Sequence, residues 1–233
     1  MSGHQHHGAL APPAARLEGP PPGVEVPPPV SSVRLLATLF IAGALAGVLV
    51  VAVYTLTLPS IKKHAGEKLE GAVREVLRAP ARWDTLYLSG DRLSRTPPPG
   101  VDLSDVAKAF VGYDAAGTRR GVAVQAAEPG FQEELTLMIG FDPADGAITG
   151  YTVLDEKETP GLGDKVERDT SFVAQFAGKL SPLKGAKAAS PDAHTVQTIT
   201  GATISSRAVI RIINDAVAAW RPRVLAFEQG GSN

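Results

Sequence analysis

The chain of 233 residues contains no cysteine. This absence excludes disulfides, thiolate metal sites, Cys-ligated iron–sulfur clusters and cysteine nucleophiles, so any redox function would depend on a bound cofactor. The chain also lacks an excess of either charge, with 23 basic and 24 acidic residues. Because no basic stripe stands out, a nucleic-acid partner is not expected.

Residues 1–32 contain few apolar side chains and many prolines, as in "APPAARLEGPPPGVEVPPPVSS". This composition predicts a disordered tail, because it supports neither regular secondary structure nor a core. The tail carries His4, His6 and His7. Without a carboxylate or thiolate partner they do not form a convincing metal site, and we expect none.

Residues 33–58 include the uncharged run "LLATLFIAGALAGVLVVAVYTLTL". Twenty-four residues at about 1.5 Å each exceed the roughly 30 Å hydrocarbon thickness of a bilayer, which predicts an uncleaved transmembrane anchor. Gly43 and Gly47 form a GxxxG pair that would let another membrane helix approach, although glycine is common in such helices. Lysines after the span outnumber the arginines before it, so charge alone favours a cytoplasmic domain.

The rest of the chain predicts an α+β domain with antiparallel hairpins and flanking helices. We expect an amphipathic helix and linker over residues 59–95, the domain over 96–228 and a frayed end over 229–233. "KAFVGYDAAGTRRGVAVQAA" and "ELTLMIGFDPADGAITGYTVL" each read as two strands around a turn. "SFVAQFAG" predicts a short helix, and "ISSRAVIRIINDAVAAW" a longer one.

The stretch "TITGATISSRAV" places several hydroxyls at the start of that longer helix. The first amide N–H groups of a helix lack partners and attract anions. A phosphate there would meet the hydroxyls of Thr200, Thr203, Ser205 and Ser206. The alternative is that Thr200 or Thr203 is only a helix cap, a role that needs one hydroxyl.

The same stretch resembles the flavinylation motif of the FMN-binding domain family. That family includes the G subunit of the Rnf-type electron transport complex and the C subunit of the sodium-pumping NADH:quinone reductase. A second segment, "GFDPADGAITGYTVLDEKETPGLGDKV", resembles the family's hairpin followed by its Glu-Thr-Pro-Gly-Leu-Gly loop, here Glu158 to Gly163. The two motifs occur in the family's order.

The resemblance implies that a flavin transferase esterifies the FMN phosphate to Thr203. It also implies that Glu158 and Thr159 offer polar contacts to the flavin and Leu162 an apolar one. Taken alone, the loop is more typical of an ordinary surface turn built from Pro and Gly. The expected cofactor-binding residues are Thr203, Thr200, Gly201, Ala202, Ser205, Ser206, Glu158, Thr159, Gly161 and Leu162.

The function implied is that of an electron-carrying subunit of an Rnf-like ion-translocating oxidoreductase, with other complex subunits as partners and no catalytic residue of its own. The implied location is the inner membrane, with a single pass and a periplasmic domain, against the weak charge count. A membrane-anchored sensor or assembly module is the alternative. Gln197 stands where the family usually has Asp, which leaves a scaffold without flavin as a further possibility.

Overall fold

The computed structural model describes residues 31–103 and 106–230. Residues 1–30 of the predicted tail, with its histidines, and residues 231–233 of the predicted frayed end lie outside this part of the chain. The chain divides into two compact units, the first ending at Thr57 and the second beginning at Leu58. Helix α1, Ser32–Val76, is 45 residues long and includes Pro59. Among the described helices it is the one long and apolar enough to span a membrane.

The second unit is built on an antiparallel sheet of six strands: β1 Arg82–Ser89, β2 Arg92–Ser94, β3 Lys108–Tyr113, β4 Arg119–Pro129, β5 Glu134–Phe141 and β6 Ile148–Asp155. Their order in the sheet is β2-β1-β3-β4-β5-β6. Each strand from β3 to β5 pairs with the next along the chain.

One face of the sheet packs against the long helix α4, Thr203–Gln229. Alternate residues of the central strands, such as Val122 and Val124 of β4, point toward this helix because side chains alternate across a strand. On α4 the apolar positions recur every three or four residues. The predicted set of Val209, Ile213, Val217 and Trp220 is buried in this core.

The opposite face of the sheet packs against the C-terminal end of α1. Val73 and Val76 of α1 lie in one apolar cluster with Phe110, Ala123 and Met138, the residues between those that face α4. The sheet is therefore covered on both faces, which is why β3, β4 and β5 contain nearly continuous apolar runs.

Close packing at this second face depends on Gly140 of β5. A Cβ atom at this position would lie 2.6 Å from the Val76 carbonyl oxygen and 3.0 Å from the Val76 Cβ. The Thr149 hydroxyl donates a hydrogen bond of 2.6 Å to the same carbonyl. The end of α1 thus lies directly on the backbone of the sheet.

Two short helices and a two-stranded parallel sheet lie between β6 and α4. The helices are α2 Lys165–Arg168 and α3 Thr170–Ala174, and the strands are β7 Lys184–Ala186 and β8 Thr195–Gln197. Asp169 caps α3 and accepts from the backbone N–H groups of Ser171 and Phe172. The Ser171 hydroxyl and these amides hold the pKa of Asp169 below its usual value.

The α+β class, both hairpins and both predicted helices are confirmed by this architecture. The interpretation of residues 82–95 as linker is wrong, because β1 and β2 lie there and extend the sheet. The run RWDTLYLS contains Trp, Thr and Tyr, which favour strands, and Leu86 is its only fully buried residue. The helices predicted on either side of Pro59 form one continuous helix.

We predict that Gly140→Ala lowers the free energy of unfolding by about 1–3 kcal/mol, because the added methyl group overpacks the contact with Val76. Urea unfolding of the full chain in detergent measures the change. Gly71→Ala is the matched control, since Gly71 lies on the helix that contacts Gly140 and has no atom within 4 Å of an added Cβ. A Gly140→Ala variant as stable as the control would contradict this packing argument.

Candidate functional site

A surface cavity of about 350 Å³ lies at the N-terminal end of α4. Its walls come from the β4–β5 loop, the loop after β6 and the first turn of α4. They are formed by Phe131, Thr159, Leu162, Gly163, Gly201, Ala202, Thr203, Ile204 and Ser205. Three of these residues, Phe131, Leu162 and Ile204, have exposed apolar side chains. The cavity therefore combines an apolar lining with a helix N-terminus.

The start of α4 carries no side-chain cap. The N-cap residue is Ala202, whose side chain has no hydrogen-bonding group, and Gly201 before it adopts a φ of +85°. That left-handed conformation suits glycine and turns the chain sharply into the helix. Neither Thr200 nor Thr203 occupies the cap position, so the amides of the first turn remain available to an anion.

The hydroxyls of this segment differ in how they are engaged. Ser206 is fully buried, donates to the Ala202 carbonyl at 2.8 Å and accepts from the Ile199 N–H at 3.1 Å. Ser205 is buried and donates to a carboxylate oxygen of Glu158 at 3.0 Å. Thr203 lines the cavity, and its hydroxyl makes only a long contact of 3.4 Å with the Ile199 carbonyl. Thr203 thus presents the least engaged hydroxyl of the three.

Glu158 lies in the loop after β6, and behind the cavity its carboxylate bonds to the β4–β5 loop and to the first turn of α4. Its Oε1 accepts from the Phe131 N–H at 2.7 Å, and its Oε2 accepts from the Ser205 hydroxyl at 3.0 Å. The side chain is only 6% exposed. Both oxygens are thus bonded to protein and Glu158 does not line the cavity, so its expected polar contact with a flavin stays a prediction.

Two glycines make room for this carboxylate. A Cβ on Gly163 would lie 2.7 Å from the Glu158 Cβ and 3.1 Å from the Ser205 hydroxyl, and a Cβ on Gly130 would also collide with the carboxylate. Gly163, at the end of the Glu-Thr-Pro-Gly-Leu-Gly loop, is therefore needed to leave room for the buried side chain of Glu158. Gly161 of the same loop is exposed and does not line the cavity.

The structure brings most of the predicted site residues together at this cavity and separates the others from it. Thr200 and Gly161 are exposed outside it, and Ser206 and Glu158 lie buried behind it. The residues that line it as predicted are Thr159, Leu162, Gly201, Ala202, Thr203 and Ser205. Phe131, Gly163 and Ile204 also line it and were not among the predicted residues. The sequence signal for Phe131 was a lone aromatic residue in the polar loop "EPGFQEE".

Gln197, the position where the sequence departs from the family motif, has a structural role outside the cavity. The Gln197 side chain donates to the Lys187 carbonyl at 3.3 Å, a bond that an ionised Asp has no proton to make. Glu156 accepts from the Glu158 N–H at 2.7 Å. His194 lies 3.2 Å from the Pro182 carbonyl through Nδ1 and does not line the cavity.

We predict that Ser206→Ala destabilises the fold by about 1–3 kcal/mol, because the part-buried Ile199 N–H loses its acceptor. Chemical denaturation of the full chain measures this change. Thr200→Ala, at an exposed hydroxyl of the same segment, serves as control and should stay within about 0.5 kcal/mol of the wild type. Equal stabilities of the two variants would show that the Ser206 bonds are unimportant.

Comparison with known proteins agrees with this geometry. The FMN-binding domain family matches residues 130–218. The G subunit of the ion-translocating oxidoreductase complex of Aliivibrio fischeri strain MJ11 is 31% identical over 78% of this chain and 86% of its own length. The protein of the same name from Methanosarcina acetivorans is 28% identical over 79% and 92%.

A solved structure also shares the fold. The crystal structure of Shewanella oneidensis NqrC aligns with a TM-score of 0.51 and 19% identity, over 66% of this chain and 88% of that one. The resemblance seen in the sequence motifs is thereby confirmed. The chain carries an FMN-binding domain and belongs to the family of G subunits of ion-translocating oxidoreductase complexes.

Proposed function

We propose that this protein is a membrane-anchored subunit of an Rnf-like ion-translocating oxidoreductase and carries electrons through FMN attached covalently to Thr203. Its family makes it an electron-transport flavoprotein subunit of a multi-subunit membrane complex, with FMN as cofactor. We further propose that a flavin transferase attaches the FMN to Thr203 and that the FMN-binding domain lies on the periplasmic side of the inner membrane.

The observation that carries the proposal is the position of the Thr203 hydroxyl. It lies in the first turn of α4, on the wall of the cavity, and makes only the 3.4 Å contact with Ile199. Ser205 and Ser206, two and three residues later, are buried and have well-formed hydrogen bonds. Among these three hydroxyls, Thr203 is therefore the one that combines access from solvent with little internal bonding.

The residues at the cavity fit FMN in both polarity and charge. The uncapped helix N-terminus favours the phosphate, and the apolar side chains of Leu162 and Ile204 favour a flat apolar ring. Thr159, which also lines the cavity, offers a hydroxyl to the polar chain of the cofactor. When bound, FMN supplies the capacity to accept and release electrons singly or in pairs.

Attachment requires an activated phosphoryl donor, because a phosphate monoester has no good leaving group. We propose that the Thr203 oxygen attacks the flavin-side phosphorus of a flavin dinucleotide. The new bond joins the Thr203 oxygen to phosphorus, the phosphoanhydride bond breaks, and a nucleoside monophosphate leaves. A base of the flavin transferase takes the hydroxyl proton, since none of the described residues that line the cavity has a basic side chain.

The apolar part of α1 supports membrane anchoring. The length and composition of this helix suit one crossing of a bilayer. We place the FMN-binding domain on the periplasmic side, where a covalent bond keeps the cofactor from being lost by diffusion. The lysines that follow the apolar run only weakly oppose this orientation.

We predict that the wild-type chain, produced together with a flavin transferase, gives a fluorescent band in a denaturing gel. Thr203→Ala should give a dark band, because the acceptor oxygen is gone. Thr203→Ser tests whether a hydroxyl alone restores labelling, and some fluorescence is expected. Thr96→Ala, at an exposed hydroxyl outside both motifs, is the control and should remain as bright as the wild type. A bright Thr203→Ala band would remove Thr203 from the proposed role.

A second prediction concerns membrane orientation. Because the chain has no cysteine, Ala115→Cys in the exposed β3–β4 turn introduces a unique thiol. A membrane-impermeant maleimide should label it in intact spheroplasts. Ser2→Cys, on the other side of the apolar run, should be labelled only after lysis. The reverse pattern would place the domain in the cytoplasm.

A further inference from the structure

Phe131 is an exposed aromatic residue on the wall of the cavity that contains Thr203. It lies in the loop between β4 and β5, and 58% of it is exposed. Among the described residues that line this cavity it is the only aromatic one. The other large apolar lining residues, Leu162 and Ile204, are aliphatic. Phe131 is thus the residue there with a flat face suited to stacking on a ring system.

The backbone below this ring is held firmly although the ring itself is exposed. The Phe131 N–H donates to Glu158 Oε1 at 2.7 Å, and the Gly130 N–H donates to the Glu133 carbonyl at 2.7 Å, which closes the loop. Gly130 is also too close to the Glu158 carboxylate to accept a side chain. The loop therefore presents the ring from a fixed position.

The same carboxylate holds the first turn of α4. Glu158 Oε2 accepts from the Ser205 hydroxyl at 3.0 Å, and Ser205 is two residues after Thr203. One buried carboxylate thus fixes both the loop that carries Phe131 and the turn that carries Thr203. The relative position of the ring and the hydroxyl depends on this single group.

We propose that Phe131 is the aromatic wall on which the flavin ring rests, and that Glu158 is a positioning residue that holds this wall relative to Thr203. The inference rests on the proposed attachment of FMN to Thr203. It assigns Phe131 a direct contact with the cofactor and gives Glu158 an indirect role through the two hydrogen-bonded segments.

Phe131→Trp tests the contact, because an electron-rich indole against an oxidised flavin quenches the flavin's fluorescence. Ala115→Trp is the matched control. It lies in the turn at the other end of β4, eleven residues or about 35 Å along the strand from the Phe131 loop. Both variants and the wild type are produced in full length with a flavin transferase, and intact mass confirms one attached FMN in each.

The expected result is a severalfold lower native fluorescence for Phe131→Trp than for the wild type and Ala115→Trp, and equal fluorescence of all three after denaturation. Equal native fluorescence in fully flavinylated proteins would overturn the inference and leave the proposed function intact. Absence of the attached FMN from the wild type would instead contradict the proposed function.

The role of Glu158 is tested in the Phe131→Trp background. Glu158→Ala removes both acceptors and should restore most of the native fluorescence, whereas Glu158→Gln keeps one acceptor oxygen and should restore less. If Glu158→Ala does not fold, Ser205→Ala in the same background replaces it, because it removes the hydrogen bond between Glu158 and the first turn of α4. If the folded Glu158 variants are quenched as strongly as Phe131→Trp alone, Glu158 does not position the ring. Lower stability by itself would not change the contact between indole and flavin, so it cannot mimic the expected result.

Discussion

The buried carboxylate of Glu158 is the group on which the candidate site depends. Its two oxygens accept hydrogen bonds from the β4–β5 loop and from the first turn of α4, while its own backbone belongs to the loop after β6. A buried carboxylate is stable only when its oxygens are satisfied, so the three segments must meet around it. Gly130 and Gly163 leave the space in which they do so.

The sheet gives these loops a rigid base. It is covered by α4 on one face and by the end of α1 on the other, and the loops of the site emerge where β4 and β6 end. The helix that provides the proposed attachment residue is thus packed along its length in the main core. A cofactor bound at its N-terminus would be presented to partner subunits from a firm position, which suits electron transfer over a defined distance.

Much of this architecture could be predicted because the local signals were strong. The turn residues at Asp114 to Gly117 and the apolar alternation of β5 identified the hairpins, and hydroxyl-rich residues identified the start of α4. The strand β1 was missed because the proline-rich run "RTPPPG" after it indicates a linker, although its own Trp, Thr and Tyr residues favour a strand. The burial of Glu158 and the presence of Phe131 at the cavity arise from contacts across 27 residues of sequence, which local patterns do not encode.

The central claim is that one hydroxyl, on Thr203, carries the flavin phosphate. Trypsin should release residues 188–207 as one peptide containing Thr203 and the neighbouring Thr and Ser residues. Fragmentation of this peptide, from protein produced with a flavin transferase, should locate a mass increase of FMN minus one water on Thr203 alone. A peptide of unmodified mass, or a flavin located on Thr200, Ser205 or Ser206, would contradict the account.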